Sequence, residues 1–245
     1  MLRPFFSYYG SKWLAVSRGW YPDPSYQTII EPFAGSACYS LRWHWHSIEL
    51  YDLDPVICGI WDYLIHAKPS EILALPLLEA GQHIDELGPL QEEARNLIGF
   101  WLNPASTTPK RTMGKWCAGG IGSTWDESIK NRIADQVEII RHWKIKNECY
   151  SAIGNQEATY YIDPPYQLKG KYYRCSSRAI DFEHLGSWSQ QRAGEIIVCE
   201  QVGADWLPFV ELGDVESSQF KDGRQLKSKE AIYTTAHHRQ LVLFS

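Results

Sequence analysis

The chain has 245 residues, a formal charge of −5, and 22% charged residues. That length accommodates one full α/β core with an inserted subdomain and leaves no room for a second large domain. The negative charge describes average solubility rather than any one face, so it does not exclude a nucleic-acid partner.

No apolar run approaches the ~20 residues that span a bilayer, and Met1-Leu2-Arg3-Pro4-Phe5 carries no signal-peptide pattern. Cysteines stand at positions 38, 58, 117, 149, 175 and 199, without a Cys-x-x-Cys pair and mostly among apolar neighbours. They read as reduced core residues of a cytoplasmic protein. His44, His46, His237 and His238 lack the spacing of metal ligands, so no metal is expected.

In chain order, Phe5-Phe6-Ser7-Tyr8-Tyr9-Gly10-Ser11-Lys12 is an aromatic, glycine-bearing turn closing on a lysine, suited to holding an amino-acid carboxylate against backbone amides. Residues 27–31 form a short strand opening into Glu31-Pro32-Phe33-Ala34-Gly35-Ser36-Ala37, where Gly35 permits close backbone approach before a helix over 36–45. Residues 47–51 are a second strand ending at Asp52-Leu53-Asp54-Pro55, and an acid about twenty positions beyond a glycine turn is placed to hold a ribose diol. Helices are expected over 55–66, 70–78 and 90–102.

Residues 103–125 form a loop rich in Pro, Gly, Thr and Lys, too long for a compact framework without a function. A helix opens at Trp125-Asp126-Glu127-Ser128. Its Ile129, Ile133, Val137, Ile140 and Trp143 recur at helical spacing as core, and Lys130, Arg132 and Arg141 are expected on its exposed side. Between 103 and 146, eight bases stand against four acids, whereas Glu71, Glu79, Asp85, Glu86, Glu92 and Glu93 face only Lys68 and Arg95. Charge is segregated along the chain.

Residues 158–162 form a buried strand delivering Asp163-Pro164-Pro165-Tyr166 to the carboxyl edge of a sheet. Two prolines fix two φ angles and leave the carbonyl between them with no nearby amide, making a rigid hook of acceptors. The Asp163 carboxylate and the Pro164 carbonyl can each accept one hydrogen of an exocyclic amine, and the Tyr166 ring offers a face for a planar base. Beyond it, Lys169, Lys171, Arg174 and Arg178 mix with Tyr172 and Tyr173 without an acid, a composition suited to phosphates around an extruded nucleotide. A helix over 180–192 and a strand over 195–200 follow. Residues 223–229 read as a second basic loop, and 231–235 with 240–244 as a terminal hairpin.

Through Tyr8-Tyr9-Gly10-Ser11-Lys12, Glu31-Pro32-Phe33-Ala34-Gly35, Tyr51-Asp52-Leu53-Asp54 and Asp163-Pro164-Pro165-Tyr166, the chain resembles the DNA adenine methyltransferase family whose cofactor motifs precede the target-recognition segment. The resemblance implies S-adenosyl-L-methionine as donor, double-stranded DNA as partner, and transfer to the 6-amino group of a flipped adenine. Carried over by position, Tyr8, Gly10, Lys12, Glu31, Pro32, Phe33, Gly35, Asp52, Tyr150 and Asp163 would line the cofactor site. Asp163, Pro164, Pro165 and Tyr166 would serve the adenine. Lys110, Arg111, Lys115, Lys130, Arg132, Lys169, Lys171 and Arg174 are the expected DNA contacts.

Two positions depart from the family pattern: Ala37 replaces the last glycine of Phe-x-Gly-x-Gly, and Cys149 precedes Tyr150 where an acid or serine is common. The implied fold is α/β, a Rossmann-like S-adenosylmethionine-dependent methyltransferase sheet with a terminal β-hairpin and an inserted, mostly helical target-recognition subdomain. Residues 1–66 and 147–245 would form the catalytic core and 67–146 the insert, in a monomer or weak dimer. Transfer to the cytosine 4-amino group, to an RNA base, or retention of the fold by a non-catalytic DNA-binding protein are the alternatives.

Overall fold

The computed structural model describes residues 1–114, 124–221 and 224–236. Seven strands form one mixed sheet: β1 (Thr28–Glu31), β2 (Ser47–Tyr51), β3 (Lys144–Lys146), β4 (Ala158–Ile162), β5 (Gly194–Gln201), β6 (Val210–Lys221) and β7 (Arg224–Thr234), in the order β3-β2-β1-β4-β5-β7-β6. The first five run parallel, and β7 lies antiparallel to both β5 and β6. The helices are α1 (Trp13–Ser17), α2 (Cys38–Arg42), α3 (Pro55–His66), α4 (Pro69–Leu73), α5 (Glu92–Leu102), α6 (Glu127–Val137) and α7 (Phe182–Gln190).

The pleat explains how one sheet feeds two cores, because successive strand side chains point to opposite faces. Ile29, Ile48, Leu50, Tyr161, Ile197 and Cys199 join one cluster with residues of α1, α2, α3, α5 and α6. Their neighbours Ile30, Tyr51, Tyr160, Ile162, Ile196 and Val198 join the other, with Leu185 and Trp188 of α7. Both faces of β4 and β5 are covered, which is why those strands read as continuous apolar runs.

Several expectations need correction. The helix expected over 36–45 is only α2, since Trp43 leaves the helical region and begins a Trp43-His44-Trp45-His46 aromatic cluster. The one expected over 70–78 stops at Leu73, ahead of Pro76, which cannot continue a helix. β3 pairs with β2, so residues 144–146 belong to the core sheet and the insert ends before them. The insert has no separate core: Leu97, Trp101, Ile129 and Val137 share one cluster with Phe5, Phe6 and Trp61.

The terminal hairpin is β6 with β7, not 231–235 with 240–244; residues 240–244 lie outside the described residues. The basic loop expected over 223–229 is, from Arg224 onward, part of β7. This ribbon runs past the core, so backbone pairing holds it without the alternating apolar residues that mark a strand in sequence.

Ala37, the N-cap of α2, sits at φ 48°, ψ 43°, fully buried in the left-handed region that glycine adopts freely. A non-glycine residue there stores roughly 1–3 kcal/mol of strain, whereas its buried methyl contributes ~0.8 kcal/mol. With glycine's freer unfolded chain set against the relieved strain as well, Ala37→Gly should change unfolding stability by no more than about 2 kcal/mol despite deleting a core methyl. Ala37→Val, β-branched at positive φ, should destabilise by more than about 2 kcal/mol in urea unfolding.

Candidate functional site

The strand order reverses between β1 and β4, and the segments leaving the two strands lead to opposite faces: α2 belongs to one core cluster and α7 to the other. The carboxyl ends of β1 and β4 thus open a crevice, the place where open α/β sheets bind ligands. One cleft occupies it, lined by Tyr8, Gly10, Lys12, Glu31, Pro32, Phe33, Gly35, Asp52, Tyr150, Asp163 and Pro165, among others. Every residue expected at the cofactor site lines it, although they come from separate stretches of sequence.

Several are held by definable contacts. The Gly35 turn, at φ 44°, donates its N–H to Asp52 Oδ2 at 3.0 Å, and Asp54 N–H donates to Asp52 Oδ1 at 2.9 Å. Burial pushes the Asp52 carboxyl up to about 6, against the pull of those amides. Each oxygen of Asp52 keeps lone-pair capacity for a hydroxyl. Phe33 and Tyr150 lie with ring centroids 5.7 Å apart, and the Tyr150 phenol shares a hydrogen bond with His184 Nδ1 at 2.8 Å. Glu31 is buried, accepts from Ser40 N–H at 2.7 Å, and is pushed up to about 8 by that burial.

The Asp-Pro-Pro-Tyr hook leaves β4 beside the amino-terminal turn. Among the described residues no backbone amide donates to the Pro164 carbonyl, whereas the Tyr166 carbonyl accepts from Gly170 N–H at 2.6 Å. Gly170 comes so close that a Cβ there would lie 2.5 Å from the Pro165 carbonyl carbon, so only glycine lets the following loop fold back under the hook. That loop lays Tyr173 against Tyr8 and Tyr9, with its phenol donating to the Tyr9 carbonyl at 3.3 Å.

Lys12 lines the cleft, but its ammonium does not stand free as a counter-ion. It lies 3.9 Å from Asp163 Oδ1, 3.7 Å from Glu230 Oε2, and 4.5 Å above the Tyr166 ring centroid. Burial alone would lower its pKa; the two carboxylates outweigh that and hold it well above the usual lysine range. Asp163 is pushed up to about 6 by burial, with Lys12 opposing and Glu230 and Glu200 adding to the rise. Glu230, the acceptor of the Tyr166 phenol, belongs to no motif of the sequence. Its only signal there is an acid opening the apolar run Ala231-Ile232-Tyr233.

The expected DNA contacts divide. Lys110, Lys169 and Lys171 are exposed, and Tyr172 beside them is 63% exposed. Arg111 pairs with Glu92, and Arg174 lies 3.4 Å from Asp54 across the cleft mouth. Lys115 lies outside the described residues. The exposed basic side expected on α6 is corrected: Lys130 is 5% exposed and paired with Glu127. Arg132, half-buried, donates to the Pro4 carbonyl and covers Trp101, whereas Arg141, on the turn beyond α6, is exposed as expected and donates to the Ile65 and Ala67 carbonyls at the end of α3. These side chains bind the fold together.

Among the described residues no group of three His, Cys, Asp or Glu side chains is arranged to hold a metal ion, no helix is long and apolar enough to cross a membrane, and the five cysteines are free. No protein-family model matches the chain, and no curated protein matches it.

Glu31 has a stability signature. Its folded pKa of about 8 lies above its ordinary 4.5, so the folded protein keeps a proton that the unfolded chain releases between those values. That increment of stability is whole below the lower value and lost as pH rises through the upper one. Glu31→Gln, which keeps the acceptor for Ser40 without the charge, should flatten the decline, leaving the variant more stable than the parent above pH ~8 in denaturant titrations. An identical pH dependence in the two proteins would show Glu31 to be ionised in the fold.

Proposed function

We propose that this chain transfers the methyl group of S-adenosyl-L-methionine to the exocyclic 6-amino group of an adenine flipped out of duplex DNA. The observation that carries the reading is one cleft at the strand reversal that joins the Gly35 turn, the Asp52 carboxylate and the Asp163 hook. Donor-binding and acceptor-binding groups need such a shared space, because the reaction joins their two ligands directly.

The cleft residues fit the donor. Asp52 has acceptor capacity for a ribose diol, Phe33 and Tyr150 supply an aromatic wall for a purine, and the Gly35 turn allows close backbone approach. When bound, the donor supplies an electrophilic methyl group on a sulfonium.

The chain's own task is to make a poor nucleophile competent, since an adenine amine has its lone pair drawn into the ring. Asp163 accepts one amine hydrogen and the Pro164 carbonyl the other, turning the nitrogen lone pair outward. No strong base is needed before attack, so Asp163 acts as an electrostatic orienter, with the amine proton leaving late. Lys12 stands over one face of the Tyr166 ring, so a base stacking on that ring would use the other face.

A base inside a duplex cannot enter such a cleft, so the target must be extruded. Lys169, Lys171 and the exposed Tyr172, immediately after the hook, are suited to phosphates flanking an extruded nucleotide, and Lys110 adds an exposed cation. DNA contact is assigned to these residues rather than to Lys130 or Arg132.

Asp52→Ala should weaken S-adenosylmethionine binding, measured calorimetrically without DNA, by about 1.5–3 kcal/mol through the lost charge-assisted hydrogen bonds. Asp163→Ala should leave that affinity within about a few-fold, because its carboxylate lines the cleft but is assigned to the amine, while abolishing transfer. Unchanged affinity in Asp52→Ala would remove the cofactor assignment, and near-parental turnover in Asp163→Ala would remove the mechanism.

A further inference from the structure

Among the described residues, the terminal hairpin places Glu230 at the site. Glu230 lies on β7 opposite Gln201 of β5 and Gly213 of β6, and is 3% exposed. It accepts from the Tyr166 phenol and stands 3.7 Å from the Lys12 ammonium. Lys12 is therefore shared between two carboxylates, and its 3.9 Å separation from Asp163 exceeds a direct hydrogen bond. Asp163 is kept beside a positive charge without having an acceptor position occupied by it.

We propose that Glu230 is a positioning residue of the Asp-Pro-Pro-Tyr site: its carboxylate fixes the Tyr166 ring through the phenol and holds Lys12 off Asp163, leaving Asp163 free to accept from the substrate amine. This rests on the methyltransfer reading. The physical reason lies in competition for one cation. A buried ammonium seeks the nearest carboxylate, and with Glu230 absent the polar partners left close to Lys12 among the described residues are Asp163 and the Gly10 carbonyl, 3.4 Å away. Lys12 would then close on Asp163 and occupy the oxygen that the amine needs. Loss of the Glu230 carboxylate would also leave the Tyr166 phenol to Asp163, its other side-chain partner, and so occupy a second acceptor position there.

Among the described residues the titratable groups facing Asp163 include Lys12 from the amino-terminal turn, Glu31 from β1, Cys38 from α2, Glu200 and Cys199 from β5, Glu230 from β7, and the phenols of Tyr21, Tyr161, Tyr166 and Tyr173. Of these, Glu230 raises and Lys12 lowers the Asp163 pKa. Removing the Glu230 charge therefore lowers it twice, by deleting a like charge and by releasing Lys12 to pair.

The test compares the full-length protein with Glu230→Gln by carbon-13 NMR titration of the Asp163 carboxyl and by steady-state methylation of DNA. The Asp163 midpoint should fall by about one pH unit, and kcat should fall at least about tenfold with KM for S-adenosylmethionine unchanged. Deleting a like charge lowers the midpoint by itself, so the titration is repeated in a Lys12→Met background, where a smaller fall on Glu230→Gln shows that pairing of the released Lys12 supplied the rest and an equal fall overturns the inference. An unmoved midpoint or an unchanged kcat overturns the inference while leaving the methyltransfer reading standing. If the parent protein transfers no methyl group, that reading fails by itself, and the titrations with and without Lys12 then decide whether Glu230 holds Lys12 off Asp163. Should Glu230→Gln not fold, Glu230→Asp withdraws the carboxylate from both partners with its charge retained. A lower kcat in that variant supports the role, and parental kcat overturns it.

Discussion

Parallel strands need crossover connections, and where those connections part to opposite faces of a sheet, the carboxyl ends of the two strands between them cannot be covered by either. In this chain that strand pair is β1 and β4. The Gly35 turn and the Asp163 hook leave from these two ends, and Asp52 follows β2 next door. Residues more than a hundred positions apart meet there because of topology. The amino-terminal turn fills the remaining wall, held by Tyr9 N–H to the Ser106 carbonyl at 3.1 Å and by the Tyr8 and Phe100 rings.

Within that crevice the electrostatics are set by burial. Glu31, Asp52 and Asp163 all have carboxyls raised by removal from water, and Lys12 is the cation beside Asp163. A buried charge without partners is unstable, so each group is tied: Glu31 by Ser40, Asp52 by two backbone amides, and Lys12 by two carboxylates. The Tyr173 ring packs against Tyr8 and Tyr9 beside the amino-terminal turn. Arg174, paired with Asp54, draws the loop after the hook across the cleft mouth.

Part of this arrangement is legible in the sequence for a simple reason. Polar residues placed directly after short apolar runs sit at strand ends, so the amino-acid order alone puts Glu31, Asp52 and Asp163 at a sheet edge. The strands over residues 47–51 and 158–162 have the expected bounds. What stays hidden in the sequence depends on tertiary contact. Lys130 reads as a solvent-facing base, yet Ile133, Ala134 and Val137 follow it at helical spacing, which places it on the apolar stripe of α6. Glu230 belongs to a ribbon with little apolar alternation, and nothing in its local sequence says that β7 lies beside β5. Ala37 reads in the sequence only as a missing glycine, whereas it occupies the backbone conformation that glycine would favour.

The most direct measurement incubates the protein with duplex DNA and S-adenosylmethionine carrying an isotopically labelled methyl group, digests the DNA to nucleosides, and identifies the labelled one by mass spectrometry. The predicted result is label on N6-methyldeoxyadenosine and on no other nucleoside. Label on cytosine would contradict the assigned target, and no transfer from a protein that binds the donor would contradict the central claim that this crevice joins a methyl donor to an adenine amine.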